Sequence, residues 1–113
     1  MDESILESVK AGSMTSDYTP FDQELIMYIN TFLGVLNQLG VGKSGFEITD
    51  DTATWADFFG DTPWIPACKT WLKLRVMQIF DTSASSVKEQ VVSEKIEELT
   101  WRIVTQAQYG EVV

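Results

Sequence analysis

Leu25, Ile29, Phe32, Leu36 and Leu39 follow one another at steps of four, three, four and three. That spacing lines up large apolar side chains on one face of an α-helix, and the face must pack against something. Ile26 and Leu33 widen the stripe. The segment also carries its own punctuation. Thr19 suits an N-cap, Pro20 the first helical position, and Asp22 falls three residues after the cap, as in a capping box. Gly40 follows as a left-handed cap, with Val41 placed to fold back on Leu36 as in a Schellman ending. The rest of the chain is constrained to cover this helix.

Further segments read the same way. Residues 2–10 carry Ile5 and Val9 four apart, with acids at the start and Lys10 at the end, which predicts a short helix stopped by Ala11-Gly12-Ser13. Met14 to Tyr18 reads as a polar connector. Asp51 or Thr52 can cap a short helix bearing Trp55, Phe58 and Phe59, closed by Gly60. Phe46 and Ile48 alternate with Glu47 and Thr49, an extended piece with one buried side. Thr62-Pro63 opens a helix to about Phe80 whose apolar residues (Trp64, Cys68, Trp71, Leu72, Val76, Ile79, with Ile65, Leu74 and Phe80) cover more than half its circumference. Such a helix is central, or it buries a second face against a partner. After the small-residue turn 81–86, Ser86 and Glu89 form a second capping box. The last helix then runs from Val87 to about Ala107 on the stripe Val92, Ile96, Leu99, Ile103 and Ala107. The fold class expected is all-α: a bundle of about four helices, an N-terminal helical turn, a glycine-rich loop at 40–45, and an extended C-terminal tail at 108–113 beyond a 1–107 domain.

Charge narrows the function. Lys plus Arg number 8 and Asp plus Glu 17, a formal charge of −9. This is the wrong sign for gripping duplex DNA or an anionic membrane surface. No His occurs, and the single cysteine, Cys68, can build neither an internal disulfide nor a thiolate zinc site. The acidic start Met1-Asp2-Glu3 is unlike a signal peptide, and no apolar run is long enough to span a bilayer, so a soluble, cytoplasmic product is expected.

The chemical motifs are weak. Gly42-Lys43-Ser44 resembles the end of a phosphate-binding loop, but position 37, where the motif needs glycine, is Asn37, and the loop leaves a helix instead of a strand. Asp50, Asp51, Asp57 and Asp61 lack the ligand order of a calcium loop and read as caps and solvated acids. Cys68 falls on an apolar stripe and reads as an inert buried thiol. Trp64, Trp71 and Trp101 lie on or beside helical stripes, so core is their ordinary place. Yet four Trp, six Phe and three Tyr are generous for a small core, and some suit an interface. Trp64 and Trp71, with Lys69 and Lys73 one turn apart beside them, are the expected subunit-interface residues. Arg75, flanked by Leu74 and Val76, either snorkels or anchors a carboxylate. No catalytic constellation, cofactor or metal is expected.

Several stretches, in order along nearly the whole chain, resemble the head–tail connector (head-completion or adaptor) family of tailed phages. They are Asp17-Tyr18-Thr19-Pro20-Phe21-Asp22, Ile29-Asn30, and Leu36-Asn37-Gln38-Leu39-Gly40-Val41-Gly42, then Gly45-Phe46-Glu47-Ile48 and Trp55-Ala56-Asp57-Phe58-Phe59-Gly60. Lys69-Thr70-Trp71, Leu72-Lys73-Leu74-Arg75-Val76, Phe80-Asp81 and Ile96-Glu97-Glu98-Leu99-Thr100-Trp101-Arg102 complete the set. Thr82-Ser83 stands where the family often has a proline pair, and Trp71 where it often has Tyr.

The resemblance implies a structural virion protein in the head–tail neck, made in the host cytoplasm. Its subunits would form a homo-oligomeric ring, a dodecamer, beneath the portal protein. The ring would extend the DNA channel and receive the next neck or tail-completion protein, with DNA passing unbound and no membrane involved. In some relatives the C-terminal region docks on the portal. Here Tyr109, Glu111, Val112 and Val113 are the expected docking residues, since the paired valines favour an extended backbone. The alternative is an acidic DNA-mimic or regulatory inhibitor of a basic protein.

Overall fold

A computed structural model describes residues 3–11, 20–80 and 86–109. These residues form five helices: α1 (Ile5–Lys10), α2 (Asp22–Gln38), α3 (Trp55–Phe59), α4 (Ala67–Phe80) and α5 (Ser86–Tyr109). The fold is all-α. One hydrophobic core draws on every helix and on the connecting residues Val41, Ile48 and Ile65. No helix among the described residues is long and apolar enough to cross a membrane.

α4 is the axis of the bundle: α1, α2 and α5 each pack against it. Its apolar residues surround the helix because its neighbours do, which decides for the central position. Cys68, Trp71, Leu72 and Val76 are buried, while Ile79 near the end is exposed. The helix opens at Ala67, not at Pro63. Ile65 precedes Pro66, and the proline ring drives the residue before it away from helical backbone. Trp64 and Ile65 therefore lie ahead of the helix and not on its stripe.

α2 buries Leu25, Ile26, Ile29, Leu33 and Leu36, while Phe32 and Leu39, also expected on the stripe, are half-buried at its edge. It begins later than its sequence punctuation indicates. The N-cap is Phe21, which makes no side-chain capping bond, and Pro20 lies in the preceding turn. Thr19 is outside the described residues. The Asp22 carboxylate instead accepts a hydrogen bond from Lys10 Nζ at 2.9 Å, and Lys10 is itself only 3% exposed. A tertiary ion pair occupies the group that the local capping box would have used.

The C-terminus of α2 is a Schellman motif. Val41 N–H donates to Leu36 C=O at 3.1 Å and Gly40 N–H to Asn37 C=O at 3.0 Å, with Gly40 at φ 98°. A side chain at Gly40 would be strained in that conformation.

α3 is capped by Thr54, not by Asp51 or Thr52. Thr54 Oγ1 accepts from Asp57 N–H at 3.1 Å, and Thr54 N–H donates in return to the Asp57 carboxylate at 3.0 Å. The Thr-x-x-Asp spacing is the stronger signal. Thr52 is already committed to Asp50.

α5 runs to Tyr109, two residues past the expected end at Ala107, and its first helical residue is Ser86. Gln108 and Tyr109 tolerate helix, and Gly110 is the first residue with an intrinsic reason to stop it. Residues 81–85 and 110–113, including Glu111, Val112 and Val113, lie outside the described residues.

Candidate functional site

The residues singled out for chemistry occupy three places. The first is the loop 40–45, which docks on α3. Lys43 N–H donates to Phe58 C=O at 2.9 Å. Asn37 Nδ2 reaches the carbonyls of Val41 at 3.4 Å and Gly42 at 3.3 Å. Gly42 has φ 76°, and a Cβ there would run into the Phe58 ring. The glycine thus serves a close backbone-to-ring approach. No helix starts where the loop ends. With the Lys43 amide spent on Phe58 and no helix N-terminus behind it, the loop lacks the parts that cradle a phosphate.

Next to it, Phe46 and Ile48 keep their inward side and Glu47 and Thr49 face out, but no strand among the described residues pairs with them. The Asn30 side chain substitutes for one: its Oδ1 accepts from Ile48 N–H at 2.7 Å and its Nδ2 donates to Ile48 C=O at 3.0 Å. Asp50 accepts from the Thr52 hydroxyl at 2.6 Å and the Thr52 N–H at 2.9 Å. These bonds, the hydroxyl first, hold its pKa below the usual carboxylate value. Asp51, Asp57 and Asp61 are exposed. No group of acids, Cys and His suited to a metal occurs among the described residues.

The second place is the seam joining α1 to the rest. Trp55 Nε1 donates to Ser8 Oγ at 3.0 Å, and Ser8 Oγ donates to Ile5 C=O at 2.8 Å. Ile5 N–H donates to Ala53 C=O at 3.0 Å and Trp55 N–H to Glu3 C=O at 3.1 Å. Lys69 pairs with the Glu3 carboxylate, and Lys73 donates to Ala11 C=O. Both expected interface lysines are thus engaged within the subunit, fastening α1 to α4. Trp64 is half-buried in an aromatic cluster, its ring 4.9 Å from Phe59 and 6.3 Å from Trp55. Trp71 is buried, its Nε1 donating to Thr100 Oγ1 at 2.8 Å and its ring meeting Phe32 edge-on at 6.1 Å. The four residues do not form one exposed patch.

Cys68 is fully buried and burial pushes its thiol up to about 12. It is a core atom, not a nucleophile. A thiol reagent at mildly alkaline pH should leave native protein unlabelled and react at the rate of unfolding. Fast stoichiometric labelling without loss of helix signal would contradict this placement.

The third place is a groove between α2 and α5, floored by α4. Val35 and Leu39 line it from α2, Trp71 and Arg75 from α4, and Ile96, Glu97, Thr100 and Trp101 from α5. Its volume is about 460 Å³. Trp101 is 67% exposed, against its expected core position. Five residues beyond Ile96, it falls on the far side of the helix from the buried stripe. The Arg75 guanidinium lies over the Phe32 ring at 4.9 Å and the Trp71 ring at 5.4 Å. The expected choice between snorkelling and a carboxylate anchor resolves to neither: the cation lies against two aromatic rings. A buried, unpartnered Arg Nε in the same groove as an exposed Trp was not visible in the sequence; only the spacing of Trp101 from Ile96 pointed to its exposure.

Residues 5–110 match the family described as phage connector protein. No curated protein and no solved structure matches the chain. With nearly its whole length covered, the chain belongs to the phage connector protein family, a family of structural proteins.

Proposed function

We propose that this connector is a neck subunit of the virion that assembles, twelve-fold in the manner of the tailed-phage adaptors it resembles, into a ring beneath the portal. The ring extends the DNA channel and receives the next neck or tail-completion protein. The observation that carries this reading is the family match over residues 5–110. The surface supports it. A ring needs two different complementary patches on each subunit, and this subunit exposes apolar side chains in separate places, Met27 on α2 and Trp101 on α5. A charge of −9 also suits a conduit, because phosphates are repelled from its wall and DNA slides without sticking. The inhibitor alternative gains no support from the family match.

The segment from Tyr109 through Glu111, Val112 and Val113 docks on the portal in this reading, the valines adding an extended strand to an exposed edge. Portal-bearing heads mixed with the full chain should acquire a ring at the portal vertex, visible by electron microscopy. Chain lacking residues 109–113 should keep its helical circular dichroism and attach more weakly. Absence of any ring on portal-bearing heads would overturn the function. Wild-type attachment by the truncated chain would overturn only the docking role of the tail.

A further inference from the structure

The groove between α2 and α5 holds a cation that no acidic group among the described residues pairs. Arg75 Nε is buried without a hydrogen-bond partner. No hydrogen bond or ion pair to its guanidinium occurs among the described residues, and Glu97 on the same wall does not reach it. The Phe32 and Trp71 rings, set nearly perpendicular to each other, hold the guanidinium in the corner between them at 4.9 and 5.4 Å. A planar cation held this way is prepared for a carboxylate, since little side-chain freedom remains to be lost on pairing. Trp101 lines the same groove and is 67% exposed. Trp and Arg are among the residue types that dominate protein interfaces.

The occupant must bring a carboxylate next to an apolar side chain. The chain itself carries that combination. Glu24 and Met27 lie three apart on the outward face of α2, and Met27 is 56% exposed. Glu24 has no partner among the described residues, whereas Glu98 is held by Arg102 and Glu94 by Gln90. Two copies at −9 each repel at a distance, so a lateral contact needs a cation at its centre. Ridge and groove share no residue, so the contact is head-to-tail, the kind from which rings are built.

We infer that the Arg75 groove of one subunit receives the Glu24–Met27 ridge of a second copy, with Glu24 pairing to Arg75 and Met27 lying against Trp101. This rests on the ring reading above and names the surface that builds it.

The test measures assembly of the full chain on portal-bearing heads and in solution, by mass photometry and electron microscopy. The variants are Trp101→Ala, Glu24→Lys, Arg75→Glu, and the reversed pair Arg75→Glu with Glu24→Arg. Each single substitution should weaken assembly roughly tenfold or more, as expected at the centre of an interface. The reversed pair should recover much of the loss over Arg75→Glu alone. Trp101→Ala and Glu24→Lys alter exposed positions, so their thermal melts should match wild type; they decide the matter if Arg75→Glu fails to fold. Wild-type assembly by both of them would overturn the inference and leave the ring reading standing. Normal self-association with lost portal binding would also overturn it, by showing that the groove takes the portal. A wild-type chain that forms no ring at all would remove both.

Discussion

Replacing Trp55 with alanine should cost about 3–5 kcal/mol of folding stability, the range for removing a large aromatic from a packed core. Trp55 is 1% exposed, with Phe58, Phe59 and Trp64 at ring-centroid distances of 6.1, 6.2 and 6.3 Å. A small domain holds only about 5–15 kcal/mol in total, so this one residue decides whether the fold persists. The loss has a second component. The Trp55 indole N–H to Ser8 is a side-chain tie between α3 and α1, two elements too short to hold themselves. Trp55→Phe should keep most of the packing and cost about 1–2 kcal/mol, the smaller cavity plus one lost hydrogen bond. Urea unfolding followed by far-ultraviolet circular dichroism measures both. A Trp55→Ala midpoint within experimental error of wild type would show that the aromatic cluster does not carry the fold. Hydrogen exchange in Trp55→Phe should also rise first in α1, since its tie is the bond removed.

Asn30→Ala should destabilise by about 2–4 kcal/mol, more than the side chain's size indicates. Its amide satisfies both the N–H and the C=O of Ile48, whose side chain is 2% exposed. Removing it leaves two backbone groups unpaired at a partly buried site, each costing on the order of 1–3 kcal/mol, with water entry setting the lower bound. Asn30→Asp does not rescue it. A carboxylate accepts from the Ile48 N–H but opposes the Ile48 carbonyl, where a donor is required. The same unfolding measurement applies, and exchange of the Ile48 amide should accelerate in both variants. An aspartate variant as stable as wild type would show that the second bond of the pair carries no weight.

The α2 stripe and its Schellman ending were legible because both are local. Periodicity assigns a face, and Gly40 supplies the backbone conformation that ends the helix. The α5 stripe was legible for the same reason, and so was Cys68 as a core thiol. Where local signals competed, tertiary contacts chose between them. Asp22 had a local role as the third residue of a capping box, but Lys10, brought in by α1, took its carboxylate. The start of α4 was readable in principle from Ile65-Pro66, and the proline's effect on the residue before it outweighed the cap-then-proline pattern of Thr62-Pro63.

The site was less visible than the fold. Lys69 and Lys73 look like free charges along the sequence, because nothing in it indicates that Glu3 and the carbonyl of Ala11, more than sixty residues earlier, lie beside them. Arg75 has no carboxylate at helical spacing, yet its true neighbours, Phe32 and Trp71, come from two helices. The sequence by itself determined the all-α class, the helix faces and the family, since these depend on periodicity, caps and ordered motifs within one stretch of chain. Only the tertiary structure decided which charges are spent inside the subunit and which rings surround Arg75, because side-chain pairing depends on distances between helices that local patterning does not encode.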